Sequence, residues 1–290
     1  MLVSIIIPLF NSLHTVRRSI DSSYAQTGDF DIQLIVVDDG STDGDVNILK
    51  KYYPELVLIK QANMGAASAR NTGLKSVLGE FVFFLDADDE WLPSKLNSQL
   101  YIFKLNPDVV LVSSGINDFF GVKLRRRRFV NRRGGLFNLL CFFNPIATST
   151  VGVRSSIFKI DKLTFPADLK TREDWFLWFL ISLRGDFYIS KDVTCNRYLQ
   201  PTSLSNSHVD FPLFRNEVRN IFSRLSKFPE VVKKMETQNI SLDDIICFRE
   251  AVFLSNNGEP WKAKKHIIRC LFRLPIRLLY FQLLRIFLKL

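Results

Sequence analysis

Along the first hundred residues, apolar and polar positions come in blocks rather than singly. Leu2 to Ile7 is a near-continuous apolar run closed by Pro8 and Asn11, as expected of a strand buried on both faces. Residues 12–26 place Leu13, Val16 and Ile20 at helical spacing. A second buried strand, Leu34 to Val37, stops abruptly in Asp38-Asp39-Gly40-Ser41. Residues 43–52 suit a helix and Val57-Leu58-Ile59 a third strand; Asn63-Met64-Gly65 then leads into a small-residue helix from Ala66 to Val77. The run from Phe81 to Leu85 is a fourth strand. This rhythm predicts an α/β fold: a doubly wound, mostly parallel central sheet flanked by helices. Beyond residue 100 the pattern loosens. Val109 to Ser113 reads as a strand, the basic 121–135 stretch as an exposed loop, and 137–160 and 174–199 as further apolar elements. Residues 213–290 read as a helical C-terminal extension.

The fourth strand poses a question of charge. "EFVFFLDADDEW" delivers Asp86, Asp88, Asp89 and Glu90 to one spot at the end of a hydrophobic run. In extended geometry Asp86 and Asp88 point to the same side, with the small Ala87 between them. Two carboxylates so placed repel unless a cation lies near. Hard oxygen ligands without His or Cys favour Mg²⁺ or Mn²⁺ over zinc. In open parallel sheets ligands bind beyond the carboxyl ends of the strands, where "IIIPLFN", "LIVVDDGS" and "FFLDADD" all finish in polar groups.

Composition narrows the chemistry. The 290 residues suffice for one large α/β domain or two small ones. Three His and four scattered Cys (Cys141, Cys195, Cys247, Cys270) form no metal-ligand or redox spacing. "PLFNSLH" contains no glycine after the first strand, which disfavours a dinucleotide-binding oxidoreductase. An aspartate-nucleophile phosphatase would carry its D-x-D after the first strand rather than the fourth. A sugar nucleotidyltransferase would want a Gly- and Arg-rich loop after strand one. Arg125–Arg128 has no aromatic-and-basic module beside it, so no nucleic-acid partner is expected.

"SIIIPLFN", "VVDDGSTDG", "NMGAASARNTGL" and "FLDADDEW", in that order and at that spacing, resemble the inverting family 2 glycosyltransferases with a GT-A fold. The resemblance is strong over residues 1–110 and weaker to about 205. It implies a nucleotide-sugar donor, a UDP-linked one, and a glycan or lipid-linked acceptor. Pro8, Phe10 and Asn11 would line the nucleoside pocket, and Asp39 would accept from the uracil N3–H. Gly65 would let the backbone approach closely, and Arg70 would lie near base and phosphates. Asp86 would bond ribose or sugar, while Asp88 would ligate a Mn²⁺ or Mg²⁺ ion bridging the diphosphate. "TREDWFLWFL" resembles the family's acceptor-side motif at a helix start. There Asp174 would be the general base, Glu173 a supporting contact, and Trp175 an acceptor-side anchor. "NRYLQPTSLS" departs from the family's Tyr-Arg-x-His pattern: Arg197 and Tyr198 are exchanged and Gln200 replaces His.

The implied organisation is a donor half over 1–110, an acceptor half over 111–205 and the helical extension over 206–290. The alternative is a catalytically inactive sugar-nucleotide-binding scaffold, against which Asp39, Asp88 and Asp174 speak. The net charge of +10 is concentrated in residues 261–290, which hold eight Lys and Arg and no acid. A helix there, interrupted at Pro275, would lie in an anionic membrane surface. With no signal peptide in view and no span long enough to cross a bilayer, a cytoplasmic protein, peripheral on the cytoplasmic face of a membrane, is expected.

Overall fold

Each apolar run of the N-terminal region becomes a strand in the computed structural model: β1 (Leu2–Leu9), β2 (Asp31–Asp38), β3 (Val57–Lys60) and β4 (Phe81–Phe84). Helices α1 (Leu13–Tyr24), α2 (Ile48–Tyr52) and α3 (Ala66–Leu74) connect them. The structure describes residues 1–128, 131–169, 171–199, 211–256 and 263. β1 pairs in parallel with β2 and β4, and β2 with β3. Successive side chains of β1 explain why helices cover both faces. Ile5 and Ile7 share a core with Val16 and Ile20 of α1, whereas Ile6 faces Gly73 of α3.

The chain continues through β5 (Asp89–Trp91), α4 (Lys95–Leu105), β6 (Val109–Phe120), β7 (Lys123–Arg128), β8 (Arg132–Gly134) and α5 (Phe137–Phe142). Next come β9 (Gly152–Arg154), α6 (Ser156–Ile160), α7 (Glu173–Ile181) and β10 (Asp186–Tyr198). The sheet order is β3-β2-β1-β4-β9-β6-β10-β5, with β7 on β6 and β8 on β10. The pairings among β1 to β4 and that of β6 with β10 are parallel, while β9 bridges β4 and β6 through short antiparallel contacts. The expected α/β class with a mostly parallel, helix-flanked sheet is the one observed. Because β1 is joined to β2 on one side and β4 on the other, their carboxyl ends open a crevice there.

Three expectations are corrected. The helix expected over 43–52 begins only at Ile48, because Asp43 accepts from the Leu13 N–H and Asp45 from the Asn47 N–H. Side chains that capture backbone donors in this way compete with helix. The strand expected at Val109–Ser113 runs on to Phe120. Its polar continuation is satisfied across β10, by Ser114 with Thr194, Asn117 with Asn196 and Asp118 with Arg197. The basic loop expected over 121–135 is instead a hairpin, β6–β7, followed by β8. Its two-residue turn starts at Gly121, whose φ of 57° is one that glycine adopts freely.

The chain divides into two compact units, Met1–Leu136 with Pro145–Asn206, and Phe137–Asn144 with Ser207–Leu290. The halves expected at 1–110 and 111–205 therefore share one sheet. The C-terminal unit comprises α8 (Phe211–Leu225), α9 (Pro229–Thr237) and α10 (Leu242–Asn256), together with α5. Phe142 and Phe143 meet the Phe248 ring at 5.3 and 5.7 Å. Among the described residues no helix is long and apolar enough to cross a membrane. Apart from Ala263, the amphipathic tail expected over 261–290 lies outside the described residues, as does Gln200.

Candidate active site

The strand ends deliver their polar groups to one edge. At the end of β1, Pro8 is half-buried, Phe10 is exposed, and Asn11 adopts a left-handed φ of 46°. Asn11 joins the loop after β2, its Oδ1 accepting from the Thr42 N–H while its own N–H donates to Ser41 Oγ. Asp39, at the end of β2, is buried. Its carboxylate accepts from Gln61 Nε2 and from the backbone N–H groups of Met64 and Gly65 at 2.7–2.9 Å. A carboxylate has about four acceptor positions, so three are occupied here. Gly65, at φ 89°, starts α3 and turns its N–H toward Asp39.

The acidic turn after β4 departs from the extended geometry expected of it. The backbone leaves the strand at Phe84 and turns, so the Asp89 N–H donates to the Asp86 carbonyl at 3.1 Å. Asp86 and Asp88 nevertheless remain in electrostatic reach. Burial, and then the Asp86 charge, raise the Asp88 carboxyl above its usual range. Asp89 is fully buried and raised well above that range, by burial first and then by Asp86 and Asp88. Its Oδ2 accepts from Ser149 Oγ, while Oδ1 is buried with no hydrogen-bond partner among the described residues.

The turn is held from three directions. From α1, Ser19 Oγ donates to the Asp89 and Asp86 carbonyls and Arg18 Nη2 to the Asp88 carbonyl. From the segment before β9, Ser149 Oγ accepts from the Asp86 N–H, and the Ser149 carbonyl accepts from Trp91 Nε1. From α3 comes Arg70. This guanidinium is buried, with Nη2 2.8 Å from Asp86 Oδ1 and Nη1 2.9 Å from Glu173 Oε1. Burial pulls its pKa down, but Asp86 and Glu173 outweigh burial and hold it above the ordinary value.

Arg70 thus ties the acidic turn to the start of α7. Arg172, the residue before that helix, is left-handed at φ 63°, a conformation disfavoured for a long side chain. Asp174 lies in the first turn, accepting from the Trp175 N–H at 2.6 Å and from Thr148 Oγ1 at 3.4 Å. Trp175 is buried and packs on Phe179 at 5.7 Å, which makes it a helix anchor and leaves little of it for an acceptor to touch. Phe165 packs edge-on against Phe84 and Trp178, which are tilted against each other. At the far side Tyr198 donates to Glu90 Oε2 and lies under the Arg18 guanidinium at 3.8 Å.

Arg18, Ser19 and Ser149 were not legible as site residues in the sequence. Each acts on backbone atoms of a distant loop, which leaves no local spacing to read. Asp89 could have been found: an acid that comes directly after D-x-D in an apolar context is a candidate for burial.

No group of three or more His, Cys, Asp or Glu among the described residues is placed to hold a metal ion. An ion of the Mg²⁺ class needs no such cage, since it keeps waters and combines one or two carboxylates with substrate phosphates. Asp88 and Asp89, each raised by burial and then by the Asp86 charge, the latter with an unpartnered buried oxygen among the described residues, fit a cation at this turn.

The family model described as Glycosyl transferase family 2 matches residues 4–160. An uncharacterized glycosyltransferase of Rickettsia prowazekii is 30% identical over 89% of this chain and 81% of its own length. The Escherichia coli protein WfgD, a UDP-Glc:alpha-D-GlcNAc-diphosphoundecaprenol beta-1,3-glucosyltransferase, is 30% identical over 79% of this chain and 87% of its own. Among solved structures, Staphylococcus aureus TarS 1–349 in complex with UDP-GlcNAc superposes with a TM-score of 0.65. That likeness covers 96% of this chain and 83% of the other at 21% identity, and it is one of fold.

Proposed function

Since the chain belongs to glycosyl transferase family 2 and is a glycosyltransferase, we propose that it transfers a sugar, with inversion, from a UDP-linked donor to a lipid-linked glycan acceptor. The observation that carries the reading is the Arg70 tie, which brings the acidic turn and the start of α7 to one place. The names of WfgD and of the TarS complex support the choice of donor and acceptor class.

In this reading Pro8, Phe10 and Asn11 border the nucleoside. Asp39, already holding Met64 and Gly65, offers its remaining acceptor position to the uracil N3–H. Asp86 faces the ribose or sugar, its orientation fixed by Arg70. Asp88 would hold a Mn²⁺ or Mg²⁺ ion, which when bound neutralises charge on the departing diphosphate. Asp174 takes the proton of the acceptor hydroxyl as that oxygen attacks the anomeric carbon from the face opposite the diphosphate. The bond from the anomeric carbon to the diphosphate oxygen breaks, and its electron pair leaves with UDP. Glu173 is occupied by Arg70, which leaves the base role to Asp174.

The test is a screen of UDP-sugars against lipid-diphosphate-linked acceptors, run with the wild type and Asp174→Asn. The amide cannot accept the proton, so transfer should fall at least ~100-fold, about 2.7 kcal/mol of barrier, with UDP affinity unchanged. A variant that kept more than about a tenth of the rate, a barrier change under ~1.4 kcal/mol, would move the base elsewhere.

A further inference from the structure

The hairpin joining β6 and β7 carries a surface that the transfer reaction does not use. Its tip exposes three apolar side chains within five residues: Phe120 at 49%, Val122 at 100% and Leu124 at 44%. Single exposed apolar residues are ordinary; three on one projecting turn are not. Lys123, Arg125 and Arg127 are exposed around them, and Arg132 and Arg133 on β8 are exposed as well. The sequence from 119 to 135 holds seven Lys and Arg and no acid.

Two bland accounts fail on these details. Charges placed to protect a sheet edge from pairing would not come with an apolar tip in water. A nucleic-acid or other polyanion surface would use the cations but not a fully exposed valine. An apolar tip collared by cations has its complement in a bilayer surface rich in anionic lipid, where headgroups meet the collar and the tip enters the acyl boundary.

We infer that the β6–β7 hairpin is a membrane-docking element, with Phe120, Val122 and Leu124 inserting among anionic lipids and Lys123 and Arg125 held at their headgroups. The tip also borders the candidate site. Phe120, Gly121 and Val122 line one cavity with Thr15, Arg18 and Tyr198, and Arg18 holds the Asp88 carbonyl. Docking there sets the bilayer surface beside the acidic turn, where an acceptor on a lipid carrier would arrive. The inference stands on the hairpin alone and is tested without donor or acceptor, so its failure leaves the proposed reaction intact.

The experiment is sedimentation of the full chain with vesicles of phosphatidylcholine alone or mixed with phosphatidylglycerol, at low and high salt. Wild type should bind only the anionic vesicles, and less as salt rises. Each headgroup contact contributes about fivefold in affinity, so Lys123→Glu/Arg125→Glu should weaken binding by more than tenfold. Val122→Asp should weaken it severalfold or more, and Val122→Leu should retain it. These positions are exposed, so the melting temperature should match wild type. Wild type that fails to sediment with anionic vesicles overturns the inference. So does equal sedimentation by wild type and both charged variants, and so does a hairpin defect that appears only with a single-stranded oligonucleotide as ligand.

Discussion

Arg70 shows how one buried side chain sets a site's geometry. Its charge lies between Asp86 and Glu173, whose side chains are 36% and 18% exposed. Arg70→Met would leave two carboxylates near each other without their cation. Breaking a buried pair costs about 3–5 kcal/mol; the partial exposure of Asp86 brings the expectation to roughly 2–3 kcal/mol. Urea unfolding should show that loss, with transfer lost as well. Stability within about 0.5 kcal/mol of wild type would mean that water replaces the guanidinium. Asp88→Ala is the opposite case. Burial and Asp86 already oppose its charge, so its removal should leave the melting temperature equal or higher. Calorimetry should then show UDP affinity that no longer responds to Mn²⁺. The same Mn²⁺ response in wild type and variant would remove Asp88 from the metal site.

At the scale of elements, α4 shows a tension in the packing. Its first residue, Lys95, is wholly buried, donating to Gln99 Oε1 and the Thr150 carbonyl at 2.9 Å, with Nζ 4.9 Å from the Trp91 ring. Burial lowers its pKa from 10.5 to about 7. Between those values the unfolded chain binds the proton and the native chain does not, so this group makes stability rise with pH across that window. Below about 7 the burial penalty is present in full, and above about 10.5 it is gone; its size is at most about 5 kcal/mol. Lys95→Met should remove that slope. The Thr150 carbonyl would keep Gln99 Nε2 as a donor. The variant's advantage in urea midpoint should therefore be larger near pH 6.5 than near pH 10, and a gap independent of pH would mean that Lys95 is not titrating there. The elements themselves divide by how local their causes are. β1 to β4 were legible because a parallel strand buried on both faces is a continuous apolar run. The second half of β6 was not, since Ser114, Asn117 and Asp118 read as loop residues until their partners on β10 are known. Asp39, Asp88 and Asp174 could be named from motifs, whereas Arg18 and Ser149 could not, because they bind carbonyls and amides about 60–70 residues away.

For the whole molecule, the chain's path does not respect the divisions that sequence suggests. A reading by motif ends the transferase at about 205 and treats the remaining residues as an appendage. Instead residues Phe137–Asn144 leave the sheet unit and join the C-terminal helices before the chain returns at Pro145. The C-terminal unit thus takes a piece of its core from within the transferase sequence, and Phe142, buried in α5, meets the buried ring of Phe248 in α10. A chain ending at Asn206 would keep α5 and lose that partner. Burying a phenylalanine is worth about 1.5–3 kcal/mol, and Phe143 packs on the same ring. The truncated chain should show lower soluble yield and a lower melting temperature than the full chain, and should bind a hydrophobic dye. Phe142→Ser/Phe143→Ser in the truncated chain should reduce dye binding, whereas the same pair in the full chain should destabilise it. A 1–206 chain that melts with the full-length protein and binds no dye would show that α5 needs no helical partner, and would restore the simple division at 206.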